Sequence, residues 1–376
     1  MKIGIPAETR AGETRVAATP ETIKKLATAK AHTLLVQAGA GAGASIPDAE
    51  YAVAGATIVD SAAAVYRDAE IVLKVRAPDA QELAQMRRDA ILIGLLAPHQ
   101  KDGIEALARH GLTAFAMESL PRISRAQSMD VLSSQANVGG YKAVLLAADT
   151  YRRMMPMLMT AAGTVKAARV VVMGVGVAGL QAIATAKRLG AVIEATDVRP
   201  ETKEQVESLG GKFIEVPLTE QEKELAKGQG GYAREMGEDY RRRQAQLVAE
   251  RIKQADIVVT TALIPGRPAP VLVSEDMVKS MKPGSVIVDM AVEAGGNCPL
   301  TELDKTVVKH GVHLIGIANL PSLVAADASA LYARNLLNFL NLMLDPKTGA
   351  LNVNREDEII AGTLVCAGGE VVGNRK

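Results

Sequence analysis

The segment Gly174-Val175-Gly176-Val177-Ala178-Gly179 has the G-x-G-x-x-G spacing that lets a backbone close around a pyrophosphate. It follows the apolar run Ala168–Met173 and leads into Leu180–Leu189, a helix-like stretch stopped by Gly190. Gly174 permits a tight turn, Gly176 removes the Cβ that would block the phosphates, and Gly179 allows close helix packing. The helix N-terminus then faces the phosphates. The next apolar run, Val192–Thr196, ends at Asp197, 21 residues beyond Gly176. A carboxylate there accepts hydrogen bonds from the adenosine ribose hydroxyls and repels a 2′-phosphate, so the pattern points to NAD(H) rather than NADP(H). Arg199 is of a type that can hold a 2′-phosphate, but the aspartate at the strand terminus outweighs it. A lone glycine fingerprint is weak evidence; the order strand, glycine turn, helix, strand, aspartate is what carries the reading.

A second polar set runs from Pro121 to Asn137 and includes Arg122, Arg125, Gln127, Ser128, Asp130, Ser133, Ser134 and Gln135. It lies where the chain is expected to pass between lobes. Two readings stand side by side: a ligand-binding segment at an interdomain cleft, or a solvated connector. Further on, Gly228-Gln229-Gly230-Gly231-Tyr232 follows a charged run. Its glycines supply hinge freedom and Tyr232 an apolar cover, which suits a lid; an ordinary long surface loop is the plainer alternative. His32, His110, His310 and His313 show no HxxxH or HExxH spacing, so no metal is expected.

Two lobes are needed to carry these motifs, and 376 residues allow them. From residue 1 to about 130, strand-like runs (Lys2–Ile5, Thr33–Gln37, Ile71–Val75, Ala90–Leu96, Leu112–Met117) alternate with helical ones (Pro20–Lys30, Ala80–Arg88, Asp102–Arg109). Gly39–Ala44 is glycine-rich, but with no strongly apolar helix after it and no suitably placed acid it reads as a turn. A second series runs through Arg169–Met173, Val192–Thr196, Lys212–Val216, Asp256–Thr261, Ser285–Met290 and His313–Ala318. The fold class expected is α/β, with two doubly wound parallel-sheet domains, the second a Rossmann domain. Ser322–Leu344 reads as one long helix returning to the first domain, and 349–376 as a packed tail ending in loose residues. The expected division is 1–133 plus 320–376, and 134–319.

A net charge of +1 gives no field to gather nucleic acid or anionic lipid. Cys298 and Cys366 form no CxxC pair and fit reduced, buried thiols. Met1–Pro6 enters a strand at once without the regions of an export signal, and apolar stretches such as Ala90–Ala97 fall short of the roughly 20 residues needed to span a bilayer. The expectation is a soluble, cytoplasmic chain.

Pro121–Asn137, Thr160–Thr164, Gly174–Asp197, Thr202–Phe213, Gly230–Gly237, Thr260–Pro270 and Glu293–Leu300 together resemble the NAD(H)-binding component of proton-translocating NAD(P) transhydrogenase, over almost the whole chain. The resemblance implies that Arg122 and Gln127 hold the nicotinamide end, that Asp130 and Ser133 engage ribose hydroxyls or orient the loop, and that Ile123, Ser124, Ser128 and Met129 belong to the same contact. It implies nucleotide contacts at Val175, Val177, Asp197, Val198, Arg199, Gly230, Gly231, Tyr232, Gln244 and Leu263. It makes the Tyr232 segment a mobile loop closing on the nucleotide. It also implies a homodimer and two partners, an NADP(H)-binding component and a membrane-spanning proton channel, which hold the chain peripherally on the inner face of the membrane.

The related alanine dehydrogenases compete for this reading, because Lys2–Glu8, Thr14–Ala17 and Lys74–Pro78 resemble their substrate-domain motifs, with Arg15 and Lys74 present. Oxidising an amino acid needs a general acid/base. That family's histidine falls at Leu96 and its aspartate at Glu293, while His99 lies three residues on. Direct hydride transfer between two nicotinamides asks only for positioning, which amide, guanidinium and carboxylate side chains supply.

Overall fold

The computed structural model describes residues 1–28, 32–199, 201–217, 238–263, 266–345 and 347–372. It divides into two compact units, Met1–Gln135 with Pro321–Lys376, and Ala136–Leu320. In the first, β1 (Lys2–Ile5), β2 (Thr33–Gln37), β3 (Thr57–Val59), β4 (Ile71–Arg76), β5 (Ile91–Leu95) and β6 (Thr113–Ala116) pair in parallel. The near-continuous apolar sequence of β4 is explained by its burial on both faces, as expected of a central parallel strand. Ile71, Leu73 and Val75 enter one apolar layer, and Val72 the other.

The second unit begins within the helix Val131–Thr150, which an exposed hairpin follows, β7 (Leu158–Thr160) and β8 (Gly163–Val165). It continues through β9 (Arg169–Met173), β10 (Val192–Thr196), β11 (Lys212–Phe213), β12 (Ile257–Thr260), β13 (Val286–Asp289), β14 (Thr306–Lys309) and β15 (Val312–Ile315). Among the described residues these form one seven-stranded sheet in the order β11-β10-β9-β12-β13-β15-β14. Without β14 this is the doubly wound order, in which the crevice outside the carboxyl ends of β9 and β12 is the topological switch point. The β14 strand departs from the all-parallel expectation. It folds back on β15 through His310 (φ 54°) and Gly311 (φ 77°), the two left-handed residues that a type I′ hairpin demands.

After the second unit the chain returns. The helix Ala325–Leu340 lays Tyr332, Leu336, Phe339 and Leu340 against the first sheet, with Phe339 edge-on to Phe115 at 5.6 Å between centroids. The segment read as a packed tail does more than pack. The strand β16 (Leu364–Ala367) adds antiparallel to β6, and β17 (Glu370–Val371) folds back on it across Gly368 and Gly369, both left-handed. The first sheet therefore has the order β17-β16-β6-β5-β4-β1-β2-β3 among the described residues. The Gly39–Ala44 stretch is a turn and short 3₁₀ helix.

An ion-pair network gathers around the last residues of β4 and the chain that follows β1. The Lys74 ammonium is fully buried and meets Glu82 Oε1 at 2.7 Å and Glu8 Oε2 at 3.4 Å, while the Tyr66 hydroxyl donates to Glu82 at 2.6 Å. Arg15 donates to Glu13 through Nε (2.7 Å) and Nη2 (2.6 Å) and to Gln135 Oε1 through Nη1 (2.8 Å), and Arg76 Nε donates to Glu13 at 2.9 Å. Burial opposes the charge of Glu13, but the hydrogen bonds and charges of Arg15 and Arg76 outweigh it and hold the carboxyl down at about 2. A depressed folded pKa gives stability that is present in full above the ordinary value of 4.5 and lost as pH falls toward about 2. Glu13→Gln should therefore be less stable than the parent at pH 7 and lose less on acidification. Denaturant midpoints at pH 7, 4.5 and 3 measure this, and parallel pH dependences for the two proteins would show that Glu13 does not carry the effect.

Candidate functional site

The glycine turn of the second unit sits directly after β9. Gly174 has φ 97°, which favours glycine, and its N–H donates to Thr196 O at 2.9 Å. Its carbonyl accepts the Thr261 hydroxyl at 2.8 Å, tying the turn to the loop after β12. A Cβ on Gly179 would stand 1.9 Å from that same carbonyl, so only glycine lets the helix Val177–Arg188 start here. A Cβ on Gly176 would meet nothing within 4 Å. The third face of this contact is Gly140, whose Cβ would fall 2.1 Å from Ala178 O. The helix has no side-chain cap at Gly176, so its first N–H groups remain available to an anion.

Across the turn, Asp197 accepts the Val175 N–H at 2.6 Å on Oδ2, the Arg199 N–H at 2.9 Å on Oδ1, Arg199 Nε at 3.0 Å on Oδ1 and Nη2 at 3.1 Å on Oδ2. Burial works against its charge, but these hydrogen bonds and the guanidinium lower its pKa below the ordinary carboxylate value, so it is ionised at neutral pH. Val198 and Leu263 are exposed, and Val177 is exposed at the first helical position. Gln244 spends its amide on the end of the sheet: Oε1 accepts the Val216 N–H at 3.0 Å, and Nε2 donates to Ile214 O at 2.8 Å and to Thr196 Oγ1 at 3.4 Å. Gly230, Gly231 and Tyr232 lie outside the described residues, so the lid expected there is not described.

One organiser escaped the sequence reading. Asn297 is fully buried; its Oδ1 accepts the Ala262 N–H (3.1 Å) and its Nδ2 donates to Ala262 O (2.9 Å) and Pro270 O (2.8 Å). Asp289, also fully buried, accepts from Ala291 N, Cys298 N and the Thr301 hydroxyl and so shapes the loop that carries Asn297. The motif segments Thr260–Pro270 and Glu293–Leu300 are thus one clasp.

In the first unit the polar segment is a short 3₁₀ helix, Ser124–Met129, running into the helix Val131–Thr150. Three anchors hold it. Arg125 pairs bidentately with Asp357 at 2.6 and 3.0 Å; Asn335 and Asn338 donate to Ser128 O at 2.8 and 3.0 Å; and Asp130 accepts both the N–H (2.9 Å) and the hydroxyl (2.5 Å) of Ser133. Met129 is buried in the core and Ile123 packs against it, so these two face away from solvent. Arg122, Ser124, Gln127 and Ser128 are exposed. Among the described residues the side chains of Arg122 and Gln127 have no hydrogen-bond partner, whereas Asp130 and Ser133 are engaged with one another as a helix cap. Leu96 is buried, and the N–H groups of Leu96 and Ala97 donate to Glu118; His99 and Glu293 are exposed. Among the described residues no group of three or more His, Cys, Asp or Glu is placed to hold a metal ion.

Residues 4–139 match the alanine dehydrogenase/PNT N-terminal domain and residues 143–374 the alanine dehydrogenase/PNT C-terminal domain. An NAD(P) transhydrogenase alpha subunit of Rhodospirillum rubrum is 55% identical, with 99% of this chain and 98% of that protein covered. The alanine dehydrogenase of Mycobacterium tuberculosis is 32% identical over 86% of this chain and 82% of its own length. The crystal structure of transhydrogenase from Sinorhizobium meliloti superposes with a TM-score of 0.90 at 51% identity, covering 99% of this chain and all of that one. The chain belongs to the alanine dehydrogenase/PNT family and stands within it among the NAD(P) transhydrogenase alpha subunits.

Proposed function

We propose that this chain binds NAD(H) on its second unit and exchanges a hydride directly with NADP(H) held by a separate component, acting as a homodimer docked to that component and to a membrane-spanning proton channel. The observation that carries the reading is the pairing of an open Gly176, an uncapped helix N-terminus and the ionised Asp197 at the carboxyl end of the sheet. Space, N–H donors and a ribose acceptor fit a dinucleotide there. No helix among the described residues is long and apolar enough to cross a membrane, so the proton path is assigned to a partner, and the chain to the inner membrane face through it.

NADH, when bound, supplies the hydride. The chain's own part is positioning: Gly174, Gly176 and Gly179 admit the pyrophosphate, Asp197 takes the ribose, and Leu263 and Val198 present apolar surface beside it. Gly230, Gly231, Tyr232 and Gln244 complete the nucleotide set. Arg122 and Gln127 orient the nicotinamide end from a fastened loop, with Asp130 and Ser133 fixing that loop's exit. Oxidation of alanine is disfavoured because Leu96 has no proton to exchange and because Arg15 and Lys74, the cations a substrate carboxylate would need, are already paired with Glu13, Glu8 and Glu82.

The direct test is calorimetry of NADH with the full chain. Asp197→Ala removes charged hydrogen bonds worth about 1.5–3 kcal/mol each before water compensates, and should weaken NADH at least tenfold; unchanged affinity would refute the assignment. Gly176→Ala should keep the parent melting temperature, since φ is −81° and the space is open, yet bind NADH poorly, whereas Gly179→Ala should lose thermal stability outright. Gln127→Asn keeps the amide and shortens its reach. Reacting carbons must approach to roughly 3–3.5 Å, and about 1 Å of misplacement costs on the order of a hundredfold. That variant should bind NADH almost normally and transfer hydride slowly when reconstituted with an NADP(H)-binding partner; wild-type single-turnover rates would remove Gln127 from the alignment role.

A further inference from the structure

The Asp197 carboxylate is already full. A carboxylate offers about four lone-pair positions, and four protein N–H groups take them: those of Val175 and Arg199 from the backbone, and Nε and Nη2 of the Arg199 guanidinium. The Asp197 side chain is 7% exposed and that of Arg199 is 51% exposed. These donors are of two kinds. The backbone pair belongs to the glycine turn and the strand end and cannot leave without unmaking both. The guanidinium hangs on a half-exposed side chain whose rotation breaks nothing else. A ribose brings a vicinal diol, which is two further O–H donors for one carboxylate.

We propose that Arg199 is an internal competitor for the adenosine ribose: its guanidinium occupies, one on each oxygen, the two acceptor positions that the 2′- and 3′-hydroxyls must take, so binding exchanges the Arg199–Asp197 pair for the ribose diol. This deepens the dinucleotide reading above and rests on it. The exchange has a consequence for specificity. A ligand with both hydroxyls replaces both guanidinium bonds, and a ligand without them leaves the pair in place, so Arg199 lowers affinity for diols alone. Arg199 is accordingly a specificity-determining residue that acts through Asp197, not a phosphate ligand.

Neutral nucleosides isolate the effect, because the phosphates of NADH would attract the guanidinium in their own right. NMR titrations of the full chain and of Arg199→Met with adenosine and with 2′,3′-dideoxyadenosine are run beside NADH calorimetry on both. Arg199→Met should bind adenosine on the order of threefold more tightly, about the factor a half-exposed ion pair withholds, and bind dideoxyadenosine as the parent does. Arg199→Lys, with a single ammonium in place of the planar fork, should fall between. Equal or weaker adenosine binding by Arg199→Met, or equal shifts for the two nucleosides, overturns the competition while normal NADH binding leaves the dinucleotide reading intact. Absence of NADH binding to the unmodified chain overturns that reading and the competition together.

Discussion

The Gly174 carbonyl is the point at which the loops of the second unit are locked to one another. It lies where the Cβ of any other residue at 179 would stand, and it accepts the hydroxyl of Thr261. Its own N–H is spent on Thr196, one residue before Asp197, whose carboxylate reaches back to Val175. Three strand ends, those of β9, β10 and β12, are therefore joined by hydrogen bonds that pass through one residue. The Asn297 clasp extends this chain of bonds to the end of β13, where Asp289 holds the loop from beneath. Buried polar groups of this kind are stabilising only when every member is satisfied, and here each named group has its partner. The crevice edge is thus preorganised by backbone and buried side chains, and the exposed side chains are left to meet a ligand.

The first unit solves a different problem with the same means. Its polar segment must show Arg122 and Gln127 to solvent while keeping a fixed course. Ala126 and Met129 sink into the core, Arg125 is clamped by Asp357, and the amides of Asn335 and Asn338 hold the Ser128 carbonyl. Those last three anchors come from the C-terminal return of the chain, more than 200 positions away. The returning helix and the segment after it therefore fasten this polar segment as well as cover the sheet.

How much of this was legible depended on whether the signal was local. Strands Arg169–Met173 and Val192–Thr196 appear with the bounds the hydrophobic runs give, because each is a buried parallel strand closed by a glycine turn or a capping acid. Thr57–Val59 and Thr306–Lys309 were missed; both are sheet edges with half-exposed patterns too short to alternate visibly. The β16–β17 hairpin did carry a signal, Gly368-Gly369 between apolar runs, and reading that stretch as a packed tail overlooked it. Arg15 and Lys74 were visible as a motif, but the partnership of Lys74 with Glu8 was not, since nothing local joins the end of β1 to β4. Arg199, only two residues from Asp197, read as a residue weighed against it for its charge alone, when in the fold it is bonded to it.

The pairings of Arg15 and Lys74 bear on the choice between the two chemistries named among this chain's relatives. An amino-acid oxidising site needs free cations for a carboxylate and a group that exchanges a proton at ordinary pH. Here both cations are already paired with buried carboxylates, Arg15 with Glu13 and Lys74 with Glu82 and Glu8, and Leu96, where the resemblance expects the histidine, is buried with its N–H donated to Glu118. Each feature alone would be a local substitution. Together they set these groups against the proposed alternative of amino-acid oxidation, because a substrate carboxylate would have to displace a buried partner of Lys74 or Arg15. The proposed reaction tolerates this arrangement, since a hydride moving between two nicotinamides leaves no substrate proton to manage. What it demands is rigidity around exposed orienting groups, and the Arg15–Glu13 pair contributes to that by fixing Gln135, the residue at which the helix that continues the Arg122–Asp130 segment is tied to Arg15 and to the Ala328 carbonyl.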